Sequence, residues 1–166
     1  MTTFRDDLLA GKTAFVAGGT SGINLGIAKR FAELGAKVAV VGRNPEKAQN
    51  AAREIGEGAL GLSADVRDYA AIRAAMEQVA GELGKMDIVV SGAAGNFLAP
   101  ALGMSSNAFR TVVDIDLNGT FNVFRGCYDL LNLPGASLIA ITAGQAVNAS
   151  TLQIHACAAK AGINQA

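Results

Sequence analysis

Cysteine is scarce: the 166 residues hold only Cys127 and Cys157, in apolar or alanine-rich surroundings, with no CxxC spacing and no companion His pair. That excludes a disulfide framework and leaves no metal-ligand set, so both are expected as buried free thiols. An excess of positive charge is also missing, because 14 Lys and Arg stand against 14 Asp and Glu. Nonspecific binding to nucleic acid or an anionic membrane needs that excess, so the expected partners are small molecules and further copies of the chain. No run of about 18 uninterrupted apolar residues occurs. The start, MTTFRDDLLAGK, carries no apolar stretch between a basic end and a cleavage site, which predicts a soluble, cytoplasmic protein. Repeats, low-complexity tracts and linkers are absent too, so residues 1–166 are expected to form one domain.

What is abundant is Gly, at 20 residues, within a composition that is 51% hydrophobic, as suits a compact α/β chain. Short apolar runs at 13–17, 37–41, 59–63, 86–91 and 138–142 predict strands covered on both faces of a parallel sheet. Helical spacing of apolar residues fills 24–34, 45–55, 69–83 and a long stretch from 106 to 131. Asn44 before Pro45 predicts an N-cap, and Asp68 a second one. Alternating strands and helices imply right-handed crossovers and a doubly wound sheet. The chain stops inside a helical pattern after the fifth strand, which would leave a sheet edge uncovered, so C-terminal strands are expected to be missing from it.

The first strand runs into Ala17-Gly18-Gly19-Thr20-Ser21-Gly22-Ile23 and then a helix. Gly18 permits a tight turn, Gly22 lets backbone approach a pyrophosphate, and the helix N-terminus offers free N–H groups to an anion. Strand, glycine turn and helix within one βαβ unit mark a Rossmann-type dinucleotide site. The second strand ends Val41-Gly42-Arg43-Asn44, without the carboxylate that commonly receives the ribose 2'-hydroxyl of NAD. Arg43 there suits the 2'-phosphate of NADP(H), with Ser21 and Lys47 as helpers, although an arginine at this position fits an ordinary solvated charge as well.

With that turn, Arg43 and Asp65-Val66 after the third strand, the chain resembles the short-chain dehydrogenase/reductase family throughout its length. The resemblance implies cofactor contacts from Gly18, Gly19, Thr20, Ser21, Gly22, Ile23, Arg43, Asn44, Lys47, Asp65, Val66, Gly92, Ala93 and Lys160. Among these, Asp65 would meet the adenine and Lys160 the nicotinamide ribose hydroxyls. Three positions depart from the family pattern. Asn24 replaces a third glycine, so local helix packing is expected to differ; Ala156 stands where the catalytic tyrosine lies four residues before the lysine; Ala143 stands for the catalytic serine. The only tyrosines, Tyr69 and Tyr128, are not near this motif. A tyrosine general acid contributes about 10²- to 10⁴-fold, so carbonyl reduction in the usual way is not expected.

Ala93 through Leu98, Ser106-Asn107-Ala108-Phe109, Asp114-Ile115-Asp116, Gly119-Thr120-Phe121-Asn122-Val123 and His155-Ala156 before Lys160 look like a subgroup of that family, the peroxisomal-type 2,4-dienoyl-CoA reductases, which also lack the tyrosine. This resemblance implies an NADPH-dependent reductase of an unsaturated acyl thioester: hydride reaches the δ-carbon of a 2,4-dienoyl-CoA, and the dienolate is protonated on carbon to a 3-enoyl-CoA. It makes Asp116 and Lys160 the implied catalytic pair, delivering the proton through water, while Asp116 fits equally a structural ion pair with Lys160. Donors to the thioester oxygen are sought among Asn118, Asn96 and backbone N–H groups, each worth about 10²- to 10³-fold. Phe97, Ser105, Ser106 and Asn107 match substrate-contacting positions, and Arg67 is matched to the coenzyme A phosphates; loop packing or surface charge explains each as well. His155, the single histidine, reads as a packed side chain rather than a catalytic one. The 106–131 segment and the chain from Thr151 suggest the helix-helix surface of a homo-oligomer, a tetramer by resemblance. The rival functions are a carbonyl or hydroxyl oxidoreductase with an atypical proton donor, and a non-catalytic NADP-binding sensor or scaffold.

Overall fold

In the computed structural model, which describes residues 4–166, the apolar runs form one parallel sheet in the order β3-β2-β1-β4-β5. Its strands are β1 (Thr13–Ala17), β2 (Lys37–Gly42), β3 (Leu60–Ser63), β4 (Ile88–Ser91) and β5 (Ser137–Ala140). The helices are α1 (Gly22–Glu33), α2 (Pro45–Ile55), α3 (Tyr69–Leu83), α4 (Ser106–Val113), α5 (Gly119–Cys127) and α6 (Ile154–Gln165). Side chains alternate along each strand. Phe15 and Ala17 of β1 join Ile72, Met76 and Val123 on one face, while Ala14 and Val16 join Ala28, Val38 and Val40 on the other. Two-sided burial is why β1 is apolar from Ala14 to Ala17.

Both expected caps form. The Asn44 side chain accepts from the Lys47 N–H at 2.9 Å with Pro45 opening α2, and Asp68 accepts from the Ala71 N–H at 3.1 Å at the start of α3. The expected 106–131 helix runs unbroken from Ser106 to Leu130 but is not α-helical throughout. A π-helical turn at Asp114–Asn118 separates α4 from α5, and a short 3-10 turn at Tyr128–Leu130 follows. One extra residue in a turn barely disturbs the apolar spacing, so periodicity does not reveal it. Met86, expected inside β4, makes only a single bridge to Leu131, because the Asp87 side chain turns to the Thr13 N–H and to Lys12. Cys127 is buried as expected, and burial pushes its thiol up to about 11; Cys157 is only half-buried. The sheet ends at β5, where Leu138 and Ile139 are exposed. None of the helices among the described residues is long and apolar enough to cross a membrane.

Candidate active site

Strand order reverses between β1 and β4, and a cleft of about 310 Å³ opens at their C-terminal ends. The glycine turn forms its floor. Gly18 has φ +75, and a Cβ there would lie 2.6 Å from the Ala93 amide nitrogen, so only glycine lets the turn meet the segment after β4. Gly22 opens α1 at φ +59 in open space. Ser21 gives α1 no side-chain cap and its first turn carries no acidic residue, which leaves N–H groups and positive partial charge for an anion.

Of the expected cofactor contacts, Gly18, Thr20, Ser21, Arg43, Asp65, Val66, Gly92 and Ala93 line this cleft. Gly19, Gly22, Ile23, Asn44, Lys47 and Lys160 do not. Gly19 is packed under the turn against Val40, and Ile23 points outward at 78% exposure, because helical phase turns it away from the sheet. The Asn44 side chain is committed to capping α2, and Lys47 lies one turn along that helix. Asn24, which the sequence marks only as a departure from the glycine pattern, also lines the cleft. Arg67 forms a fork on Asp65, with Nη2 to Oδ2 at 2.6 Å and Nε to Oδ1 at 3.0 Å. The guanidinium holds the Asp65 carboxyl below the usual carboxylate range. Arg67 therefore braces Asp65 at this edge of the cleft, with its guanidinium still exposed.

Asp116 sits in the π-helical turn, 1% exposed, and Lys160 reaches it from α6. The Lys160 Nζ stands 3.4 Å from Oδ2 and donates to the Ile141 carbonyl at 3.0 Å. The Gly95 N–H donates to Oδ1 at 2.7 Å. Below the pair, the Ser91 hydroxyl donates to Thr120 Oγ1 at 3.0 Å, which donates to the Asp116 carbonyl at 2.7 Å. The Asp116 side chain is thus buried and fixed in orientation beside Lys160. Ala156 is buried four residues before Lys160, so no hydroxyl stands at the tyrosine position. The side-chain donors expected for a thioester oxygen are engaged elsewhere: Asn118 Nδ2 with Asp114 at 2.8 Å, and Asn96 Nδ2 with Gln153 at 2.6 Å.

Phe97 stacks on His155 with ring centroids 4.3 Å apart; His155 is fully buried, and neither of its ring nitrogens has a hydrogen-bond partner among the described residues. Ser105 and Ser106 line a second, more apolar cleft of about 460 Å³ with Met104, Phe109, Val113 and Ile154. The Ser105 hydroxyl is already the N-cap acceptor for the Ala108 N–H at 3.1 Å, and Asn107 lies in the first turn of α4 outside that lining.

A glycine turn at the switch point of a doubly wound parallel sheet defines a Rossmann-type dinucleotide-binding domain. The family model described as short chain dehydrogenase matches residues 12–166, and the chain belongs to that family. Curated relatives include peroxisomal 2,4-dienoyl-CoA reductases [(3E)-enoyl-CoA-producing]. The one from Rattus norvegicus is 44% identical over 97% of this chain and 57% of its own length. Those from Arabidopsis thaliana and Saccharomyces cerevisiae are 40% and 37% identical, over 97% and 98% of this chain and 58% of each relative. The chain thus spans less than two thirds of the curated relatives it matches. Among solved structures, a short chain dehydrogenase from Bacillus anthracis is 36% identical with TM-score 0.86, over 92% of this chain and 66% of that one. A citronellol catabolism dehydrogenase from Pseudomonas aeruginosa PAO1 is 30% identical with TM-score 0.91, over 99% and 69%.

Proposed function

We propose that the protein carrying this chain reduces an unsaturated acyl thioester, as a 2,4-dienoyl-CoA reductase, with NADPH as hydride source. One observation carries this: buried Asp116 is held 3.4 Å from the half-buried Lys160 while the tyrosine position is a buried alanine. An alkoxide product requires a proton on oxygen from a nearby hydroxyl, and none stands at that position. A dienolate takes its proton on carbon and spreads its charge to the thioester oxygen, which suits a carboxylate–lysine pair reached through water. The names of the curated relatives add support.

Bound NADPH supplies the hydride, and the chain's own residues handle position and proton. The Gly95 N–H fixes Oδ1 of Asp116, so Oδ2 faces Lys160 Nζ and is the atom at which the proton is exchanged. Lys160, anchored on the Ile141 carbonyl, keeps its ammonium between the sheet end and Asp116. Arg43 selects the 2'-phosphate at the other end of the cleft. The apolar cleft beside Ser105 and Ser106 receives the acyl part, with Phe97 above His155 as its neighbour. Exposed Phe121 on α5 supports a helix-helix contact between copies, a homotetramer in our proposal. The sequence expectation of a cytoplasmic protein stands apart from the named relatives, which are peroxisomal.

The test uses full-length protein with NADPH and, separately, a 2,4-dienoyl-CoA and a 3-oxoacyl-CoA. Oxidation of NADPH with the dienoyl thioester alone is expected. Turnover only with the 3-oxoacyl substrate would refute the proposal, and so would an Asp116→Ala variant with undiminished turnover; the expected loss is about 10²-fold or more.

A further inference from the structure

Asn24, where the family pattern has a glycine, bridges the two walls of the dinucleotide cleft. The usual glycine serves close packing of helix on strand. Here a carboxamide fills that place. Its Nδ2 donates to the Gly92 carbonyl at the end of β4, at 2.7 Å, and to the Gly18 carbonyl in the phosphate turn, at 3.3 Å. Both partners are acceptors, which fixes the amide with its NH₂ toward the backbone and uses both of its hydrogens. The Oδ1 is then buried with no partner among the described residues, in a side chain that lines the cleft.

The space for this bridge depends on a second position. A Cβ at Gly92 would lie 2.4 Å from Asn24 Oδ1 and 2.5 Å from Nδ2, too close for both groups to stay. Gly92 has no left-handed φ, so alanine there is acceptable to the backbone, and the three atoms its Cβ would meet first all belong to Asn24. We propose that Asn24 is a positioning residue for the dinucleotide, coupled to Gly92. It locks the phosphate turn to the strand β4 wall and so holds both walls of the cleft at the spacing the dinucleotide needs. The inference rests on the dinucleotide reading of the cleft.

The experiment measures NADPH dissociation constants by direct fluorescence titration of full-length protein, with thermal midpoints of the ligand-free forms, for N24G, G92A, the double variant and N24D. Each glycine or alanine single variant is expected to raise the dissociation constant about tenfold, as loss of the bridging hydrogen bonds implies. In the double variant, N24G/G92A, the alanine fills the space that the carboxamide leaves, so the two losses should not multiply. Asn24→Asp keeps volume and Oδ1 but removes both donors, and should bind NADPH at least as weakly as N24G, with the loss read in KM for NADPH more than in kcat. Singles that bind like wild type, or losses that multiply in the double variant, would overturn the coupling. Should G92A alone fail to fold, recovery of folding and binding in N24G/G92A upholds the coupling and its absence overturns it. Wild-type protein that binds no nicotinamide dinucleotide at all would instead remove the cofactor assignment itself.

Discussion

At the scale of single residues, Arg43 owes its significance to its neighbour. A Cβ at Gly42 would come 2.6 Å from Thr20 Cγ2, so the last position of β2 cannot carry the carboxylate that an NAD ribose prefers. The exposed guanidinium of Arg43 lines the cleft just beyond it. Arg43→Ala should weaken NADPH binding by about 10-fold to 10²-fold, the value of one or two charge-assisted hydrogen bonds, and leave NADH binding nearly unchanged. Titration with both nucleotides checks it, and an equal loss for both would show that Arg43 does not read the 2'-phosphate. The carboxamide of Asn24 and the carboxylate of Asp65 show the opposite situation. Their types are plain in the sequence, but their partners, Gly92 and Arg67, come from loop geometry that spacing does not encode.

At the scale of elements, the π-helical turn between α4 and α5 decides where Asp116 points. An α-helix throughout 106–131 would leave no extra residue to seat that carboxylate beneath the Gly95 N–H. The turn is held by Thr120, whose hydroxyl links Ser91 on β4 to the Asp116 carbonyl. Thr120→Val keeps the shape but strands both buried partners, so it should lower stability by about 1–3 kcal/mol and reduce turnover more than NADPH affinity. Chemical denaturation and steady-state kinetics test the two parts; unchanged stability would mean that the hydroxyl does not brace the turn. The helix starts were legible, since Asn44-Pro45 and Asp68 carry their own capping chemistry. The π-helical turn was not, because a one-residue insertion moves apolar side chains too little to change their face.

At the scale of the whole molecule, the sheet keeps its chemistry at one end and a polar clamp at the other. Asp87 is buried at the start of β4, where the Thr13 N–H meets it at 3.0 Å, Lys12 at 2.9 Å and Asn132 at 3.2 Å. Burial opposes its ionisation, but these three donors outweigh burial and hold its carboxyl below the ordinary value. A depressed carboxyl stabilises the fold above the unfolded value of about 3.9, and that contribution is lost as the pH falls further, through the folded value. Asp87→Asn should therefore cost about 1–3 kcal/mol at pH 7 and much less at pH 3, measured by urea unfolding at both. An equal cost at both would show that charge is not what holds the clamp. The sequence by itself determined the α/β class, the parallel sheet, the glycine turn and the absent tyrosine, because apolar period, capping and turn chemistry act over a few neighbouring residues. Only the tertiary structure decided that Asp116 meets Lys160 and that Asn24 spans to Gly92, 68 residues away. Those pairings depend on sheet order and on how each helix returns across the sheet, and no local pattern carries that information.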